Sequence, residues 1–225
     1  KKYYLPNNCK LILLGPVGKK EIETVRQLFG KMDSKPLEIK KPDLGILKSK
    51  EESREDIQEG YYGLGWRTKI EDIEDFVNNE ILNMTLSSGL TSILFKEFRN
   101  ERGIGYLTNS YFSPFRDSGY TVMTVNGFDM KREEEVRETA RNILKEVKSL
   151  SEEYLEGRRN YSQYKYTENS KKIDWAVKKI ANFLTAGFNV DEEEAIEKLT
   201  DLKGDRFKKA VEDIDPTEAI IRPES

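Results

Sequence analysis

Apolar residues recur along this chain at spacings that change from block to block, and the changes mark its elements. Lys10-Leu11-Ile12-Leu13-Leu14 is a short apolar run stopped by Gly15-Pro16, the pattern of a mostly buried strand. Ile22, Val25, Leu28 and Phe29 then recur at helical spacing up to Gly30, so the first unit reads strand, turn, helix. Residues 34–49, with Pro36, Pro42 and Gly45, form a connection that leads into an extended stretch. The aromatic and glycine-rich run 57–66 suits a strand in close contact with other backbones. Ile70, Ile73, Phe76, Val77, Ile81 and Met84 mark a long helix, interrupted at Leu86-Ser87-Ser88-Gly89. Leu90, Ile93, Leu94 and Phe98 resume the stripe, which ends at Gly103-Ile104-Gly105.

Residues 106–112 and 120–125 alternate as strands, and Asp117-Ser118-Gly119 supplies turn chemistry between them, so an antiparallel hairpin is predicted. From Met130 the periodicity is helical almost to the end: Val136, Ala140, Ile143, Leu144 and Val147 line one face, Trp175, Ile180, Phe183 and Leu184 another, and Phe207, Ala210, Val211 and Ile214 a third. Pro216 closes the last helix and Ala219-Ile220-Ile221 returns as a final strand. Strands early and helices late define an α+β class: a largely antiparallel sheet with helices packed on one face. Residues 1–225 are expected to form a single domain, and the abrupt start at Lys1-Lys2-Tyr3-Tyr4 suggests one cut from a longer protein.

Composition narrows the class. Charged residues are 35% of the chain, yet Lys+Arg (38) and Asp+Glu (41) nearly cancel to a net charge of -3. A pI near 5.5 argues against a nucleic-acid partner. No apolar run approaches the length of a bilayer span and the start lacks a signal-peptide core, so no membrane association is expected. Cys9 is the single cysteine, which excludes an intrachain disulfide and a cysteine metal cluster and suits a reducing, cytoplasmic setting. The chain has no histidine, which removes Ser-His and Cys-His nucleophile systems. No metal ligand set is expected in this chain.

Candidate chemistry is sparse. Gly15-Pro16-Val17-Gly18-Lys19-Lys20 lies between a strand and a helix but misses the glycine spacing of a phosphate loop, and Lys20 stands where the Mg²⁺-binding hydroxyl belongs. The clusters Glu133-Glu134-Glu135 and Glu192-Glu193-Glu194 fall where helices begin and offset the helix dipole, with Asp191 as an N-cap. Helical spacing brings Tyr154, Arg158 and Tyr161 to one face, for recognition or, more often, packing. Arg99 and Tyr106 remain: a permanent cation near a helix end and a phenol at the next strand's start. Taken alone they are satisfied by the helix dipole and by ordinary strand packing.

Their context points elsewhere. Leu86-Ser-Ser-Gly89-Leu-Thr-Ser92-Ile-Leu-Phe95-Lys-Glu-Phe-Arg99-Asn-Glu-Arg102-Gly103-Ile-Gly105-Tyr106 resembles the helix-to-strand segment of the pitrilysin/insulinase (inverzincin) zinc metallopeptidases, a family that includes mitochondrial processing peptidase. Tyr3-Tyr4-Leu-Pro6-Asn7-Asn8-Cys9 with the apolar run to Leu14 resembles the opening of that family's second, non-catalytic domain, and Gln58 ahead of the next strand agrees. The resemblance implies homologous α+β domains facing one another across a chamber. The catalytic one carries H-x-x-E-H with its zinc, a motif absent here. It further implies that Arg99 and Tyr106, seven positions apart, contact substrate from the opposing half. The substrate backbone would add as a strand to the catalytic half. On this resemblance the chain is the substrate-clamping half of a zinc metalloendopeptidase, inactive alone, with a homologous catalytic domain and a peptide substrate as its partners. The alternative is a catalytically silent member serving as a structural or assembly subunit.

Overall fold

The computed structural model describes residues 4–36, 48–189 and 214–224, with residues 194, 197, 207, 211 and 212 described singly. Its centre is a five-stranded sheet built from β1 (Lys50–Arg54), β2 (Gly60–Lys69), β3 (Leu107–Phe115), β4 (Ser118–Phe128) and β5 (Thr217–Pro223) in the order β1-β5-β2-β4-β3. All neighbours are antiparallel except β1 and β5, which run parallel with Lys50 opposite Ala219. The expected hairpin is the β3–β4 pair, turned by Asp117 at φ 65°. The expected return of the chain at residues 219–221 is β5, which inserts between β1 and β2.

Alternation in β2 decides which face is covered. Tyr62, Leu64, Trp66 and Thr68 are buried, the residues between them are half-buried, and Tyr61 and Lys69 on either side are exposed. Thr121, Met123 and Val125 of β4 continue the buried face. Onto it pack α2 (Ile73–Ser87), α3 (Glu133–Lys148) and α5 (Ile173–Ala186), with α4 (Glu152–Ser170) against α2 and α5. Phe76 of α2 and Phe183 of α5 bring their ring centroids to 4.3 Å at the centre of this core. The α+β class with helices on one face of a largely antiparallel sheet is therefore what the chain adopts.

Local chemistry explains the helix ends. The Asp72 carboxylate accepts from the Asp75 amide at 2.9 Å at the start of α2, and Ser151 does the same for Tyr154 at 3.2 Å ahead of α4. Glu133, Glu134 and Glu135 occupy the first turn of α3 and Lys145 and Lys148 its last, both favourable to the dipole. Glu133 also binds Arg222 of β5 at 2.6 Å, and Arg222 reaches Glu51 of β1 at 2.8 Å, so the cluster ties α3 to the far side of the sheet. Glu192, Glu193 and Asp191 lie outside the described residues.

One expectation fails. Lys10-Leu11-Ile12-Leu13-Leu14 is neither a strand nor buried: Leu11, Leu13 and Leu14 are exposed and unladdered, after a 3₁₀ turn at Pro6–Asn8. A strand exists only where a neighbour completes its hydrogen bonds, and the five strands of this sheet pair among themselves. The following helix α1 (Lys19–Phe29) forms as predicted, but none of its residues is buried. Among the described residues no helix is long and apolar enough to cross a membrane.

Candidate functional site

The segment that follows α2 carries the candidate residues, and it is built in an unusual way. After the turn at Gly89 (φ +82°), Ser92 donates its amide to the Gly89 carbonyl at 3.1 Å and Lys96 donates to the Ser92 carbonyl at 3.0 Å. The ladder then widens into a π-helix over Phe95–Glu101. Such widened turns are rare and recur at functional sites, where they re-aim side chains. Here Phe98 is driven fully into the core while Arg99, the next residue, is exposed, its guanidinium 5.6 Å from the ring centroid of Phe95. Arg99 also lies in the last turn, where a cation is favoured.

The exit from this turn is braced at several points. Arg102 donates to the backbone carbonyl of Glu97 at 2.9 Å and to its carboxylate at 2.7 Å. Arg132 reaches over from the segment before α3: Nη2 donates to the Arg102 carbonyl at 3.0 Å, Nη1 to the Gly103 carbonyl at 3.4 Å, and Nε and Nη2 to the Glu135 carboxylate. Gly103 and Gly105 adopt φ of +59° and +74°, the left-handed region that other residues enter only at a cost. A Cβ on Gly105 would also lie 2.8 Å from Cγ1 of Val125. The amide of Tyr106 then donates to the Asn126 carbonyl at 2.9 Å and joins the β3–β4 pair.

Tyr106 is 82% exposed, and its hydroxyl has no hydrogen-bond partner among the described residues. The ordinary expectation for a phenol at a strand start, a packed ring with a satisfied hydroxyl, is not what this residue does. The Arg99 guanidinium likewise has no carboxylate partner among the described residues. One braced junction thus presents a permanent fork of N–H donors and an O–H donor, both free for an external acceptor. The sheet face turned away from the helices adds exposed aromatic groups, Tyr61, Tyr111, Phe115 and Tyr120.

The bracing arginines escaped sequence reasoning. Glu97 and Arg102 are five positions apart, a spacing that aligns no side chains on an α-helix and becomes a pair only once the turn is π. The rejected phosphate loop has its helix-terminal amide occupied, since Gly18 donates to the Glu21 carboxylate at 2.9 Å. Among the described residues no group of three or more His, Cys, Asp or Glu side chains is arranged to hold a metal ion.

Against known proteins, residues 1–161 match the family model described as the peptidase M16 inactive domain. The chain is 28% identical over 130 residues to YmxG of Bacillus subtilis, which is named an uncharacterized zinc protease; the match covers 56% of this chain and 30% of that protein. In fold it is similar to a protease from Helicobacter pylori, with a TM-score of 0.73 and 15% identity over 92% of this chain and 53% of that one. A peptidase M16 inactive domain from Pseudomonas fluorescens superposes with a TM-score of 0.67 and 12% identity over 93% of this chain and 52% of that one. The chain thus spans about a third of the curated relative and about half of each solved chain.

Proposed function

Because the chain belongs to the family of peptidase M16 inactive domains, we propose that it is the substrate-clamping, non-catalytic half of a zinc metalloendopeptidase. The likeness to the second domain of the pitrilysin/insulinase metallopeptidases that the sequence carries is borne out by that family match and by the M16 domains of similar fold.

The observation that supports the clamping role is the pair of free donors on a braced junction. Tyr106 and Arg99 would donate to substrate carbonyls, or to the oxygen on which charge develops as the peptide is hydrolysed. A preorganised donor of this kind is worth roughly 3 kcal/mol in a transition state. The π-turn and the two left-handed glycines set where the backbone carries the two donors, which supports their being held in register with a substrate.

Zinc does not fit this chain, which has no histidine and, among its described residues, no acidic cluster of the right kind. The metal and the attacking water are assigned to a homologous catalytic domain, in the same polypeptide or a separate subunit. Support for a covering partner comes from residues 4–36, where Leu11, Leu13, Leu14, Ile22, Leu28 and Phe29 are all exposed. The exposed, free Cys9 supports a reducing, cytoplasmic compartment.

The test is peptide hydrolysis by this chain together with its zinc-bearing half. Tyr106→Phe and Arg99→Ala should each lower kcat by roughly a hundredfold. Unchanged kcat in folded variants would return both residues to a structural role.

A further inference from the structure

Arg158 of α4 is 4% exposed, yet among the described residues no carboxylate pairs with it. Burying a guanidinium without a counter-charge is expensive unless its N–H groups find acceptors; here both Nη atoms do, while Nε is buried without one among the described residues. The acceptors here belong to one short stretch of chain. Nη2 donates to the carbonyls of Met84 and, at 3.0 Å, Ser88, while Nη1 donates to the Thr91 hydroxyl at 3.3 Å. Both carbonyls sit at the C-terminal end of α2, where the Met84 carbonyl also accepts the Ser88 amide at 2.8 Å, so the guanidinium shares the bond that caps the helix. The guanidinium also stacks 4.7 Å from the ring centroid of Tyr161, whose hydroxyl lies 3.5 Å from that of Ser88. A Cβ on Gly89 would meet the Tyr161 hydroxyl at 2.8 Å, so ring and turn are in close contact.

This stretch is the turn between α2 and the segment bearing Arg99. Ser88, Gly89 and Thr91 set where the next helix starts, and the Ser92 and Lys96 amides register that helix on the Gly89 and Ser92 carbonyls. We infer that Arg158 is a positioning residue: by clamping the 84–91 turn from α4, it fixes the origin of the π-turn and so the placement of Arg99. This inference rests on the clamping role assigned above to Arg99. Lysine keeps the charge but has no planar fork, so it cannot serve the Met84, Ser88 and Thr91 acceptors together.

Two measurements test it. In the full chain, Arg158→Lys should speed hydrogen exchange at the Ser88, Ser92 and Lys96 amides by roughly tenfold while α3 amides keep their rates. Unchanged exchange at those three amides, or an equal rise in α3, overturns the clamp. With the zinc-bearing half present, Arg158→Lys should lower kcat roughly tenfold with KM nearly unchanged, and should cost nothing further in an Arg99→Ala background. If Arg99→Ala lowers kcat and the two losses multiply, positioning is overturned while the clamping role of Arg99 stands. If Arg99→Ala alone leaves kcat unchanged, that role falls, and exchange at the three amides decides whether Arg158 holds the turn. Should Arg158→Lys fail to fold, Thr91→Val removes a single acceptor at an exposed position and should give the same pattern on a smaller scale.

Discussion

The amide of Ile104 donates to the carbonyl of Phe98 at 2.8 Å, and both side chains are buried almost completely. This bond staples the end of the π-turn to the start of the β3 approach. Arg99 follows one partner directly, and Tyr106 follows the other after a single glycine. The backbone positions from which the two donors project are therefore tied to core packing.

Replacing Gly105 should disturb the staple directly. Gly105→Ala places a Cβ against Val125 at a residue with φ of +74°, which should cost about 1–3 kcal/mol. Chemical denaturation would register the loss. Gly157→Ala, at a helical position with open space, should instead be neutral or stabilising.

Tyr106→Phe removes a hydroxyl that has no partner among the described residues, from a side chain 82% exposed. Its stability should stay within about 0.5 kcal/mol of the parent by urea titration. A larger loss would mean that the hydroxyl has a structural role after all.

Glu80 is buried on α2 and accepts from Tyr166 of α4 at 3.2 Å and from Lys179 of α5 at 2.6 Å, joining three helices through one carboxylate. Burial and the neighbouring Glu80 raise the Tyr166 pKa well above its ordinary value, which keeps the phenol a donor. Glu80→Ala leaves a buried phenol and a largely buried ammonium without their acceptor and should cost about 3 kcal/mol. Equilibrium unfolding of Glu80→Ala beside Lys179→Met would separate the lost pair from the stranded cation, with Glu80→Ala the more damaging.

The charge network on α3 and β5 predicts the response to acid. Arg222, aided by Arg137, holds the Glu133 carboxyl below its ordinary range; burial pushes Glu218 up, but Arg141 and Arg137 pull it below as well. Such carboxyls bind fewer protons folded than unfolded, so they stabilise fully above the unfolded pKa of about 4.3 and lose that contribution as pH falls through the lower folded values. Urea midpoints should drop across this acid window, and the drop should be shallower in Glu133→Gln combined with Glu218→Gln.

What the sequence discloses depends on how local each cause is. The stripes of α2 and α3 are short-range consequences of burying one face and stand in the fold where the spacing puts them, save that Ile70 is buried ahead of α2; the aromatic, glycine-rich run read at 57–66 is a strand displaced to Gly60–Lys69. The run at residues 10–14 has the same apolar character but no ladder partner among the described strands; hydrophobicity reports a wish for cover, not its source. Lys50-Glu51-Glu52-Ser53-Arg54 is the opposite case: wholly polar and exposed, it is a strand because β5 lies beside it. In the candidate site, motif order alone singles out Arg99 and Tyr106, and the role given to them is the proposal made above. The π-turn and the Arg102 and Arg132 contacts are not legible there, since each depends on a geometry that appears only after folding; for Arg158, helical spacing discloses the neighbour Tyr161 but not the Met84, Ser88 and Thr91 acceptors.

The position of β5 has a consequence for synthesis. β1 and β2 leave the ribosome long before Thr217–Pro223, yet β5 is the strand that hydrogen-bonds to both. Until it arrives, β2 offers an open edge of the kind that invites mispairing, and the nascent chain must keep that edge unmatched while everything between β2 and β5 is made. Assembly of this sheet is therefore completed by one of the most distant pairings in the molecule, and slow refolding after dilution from denaturant is its expected signature.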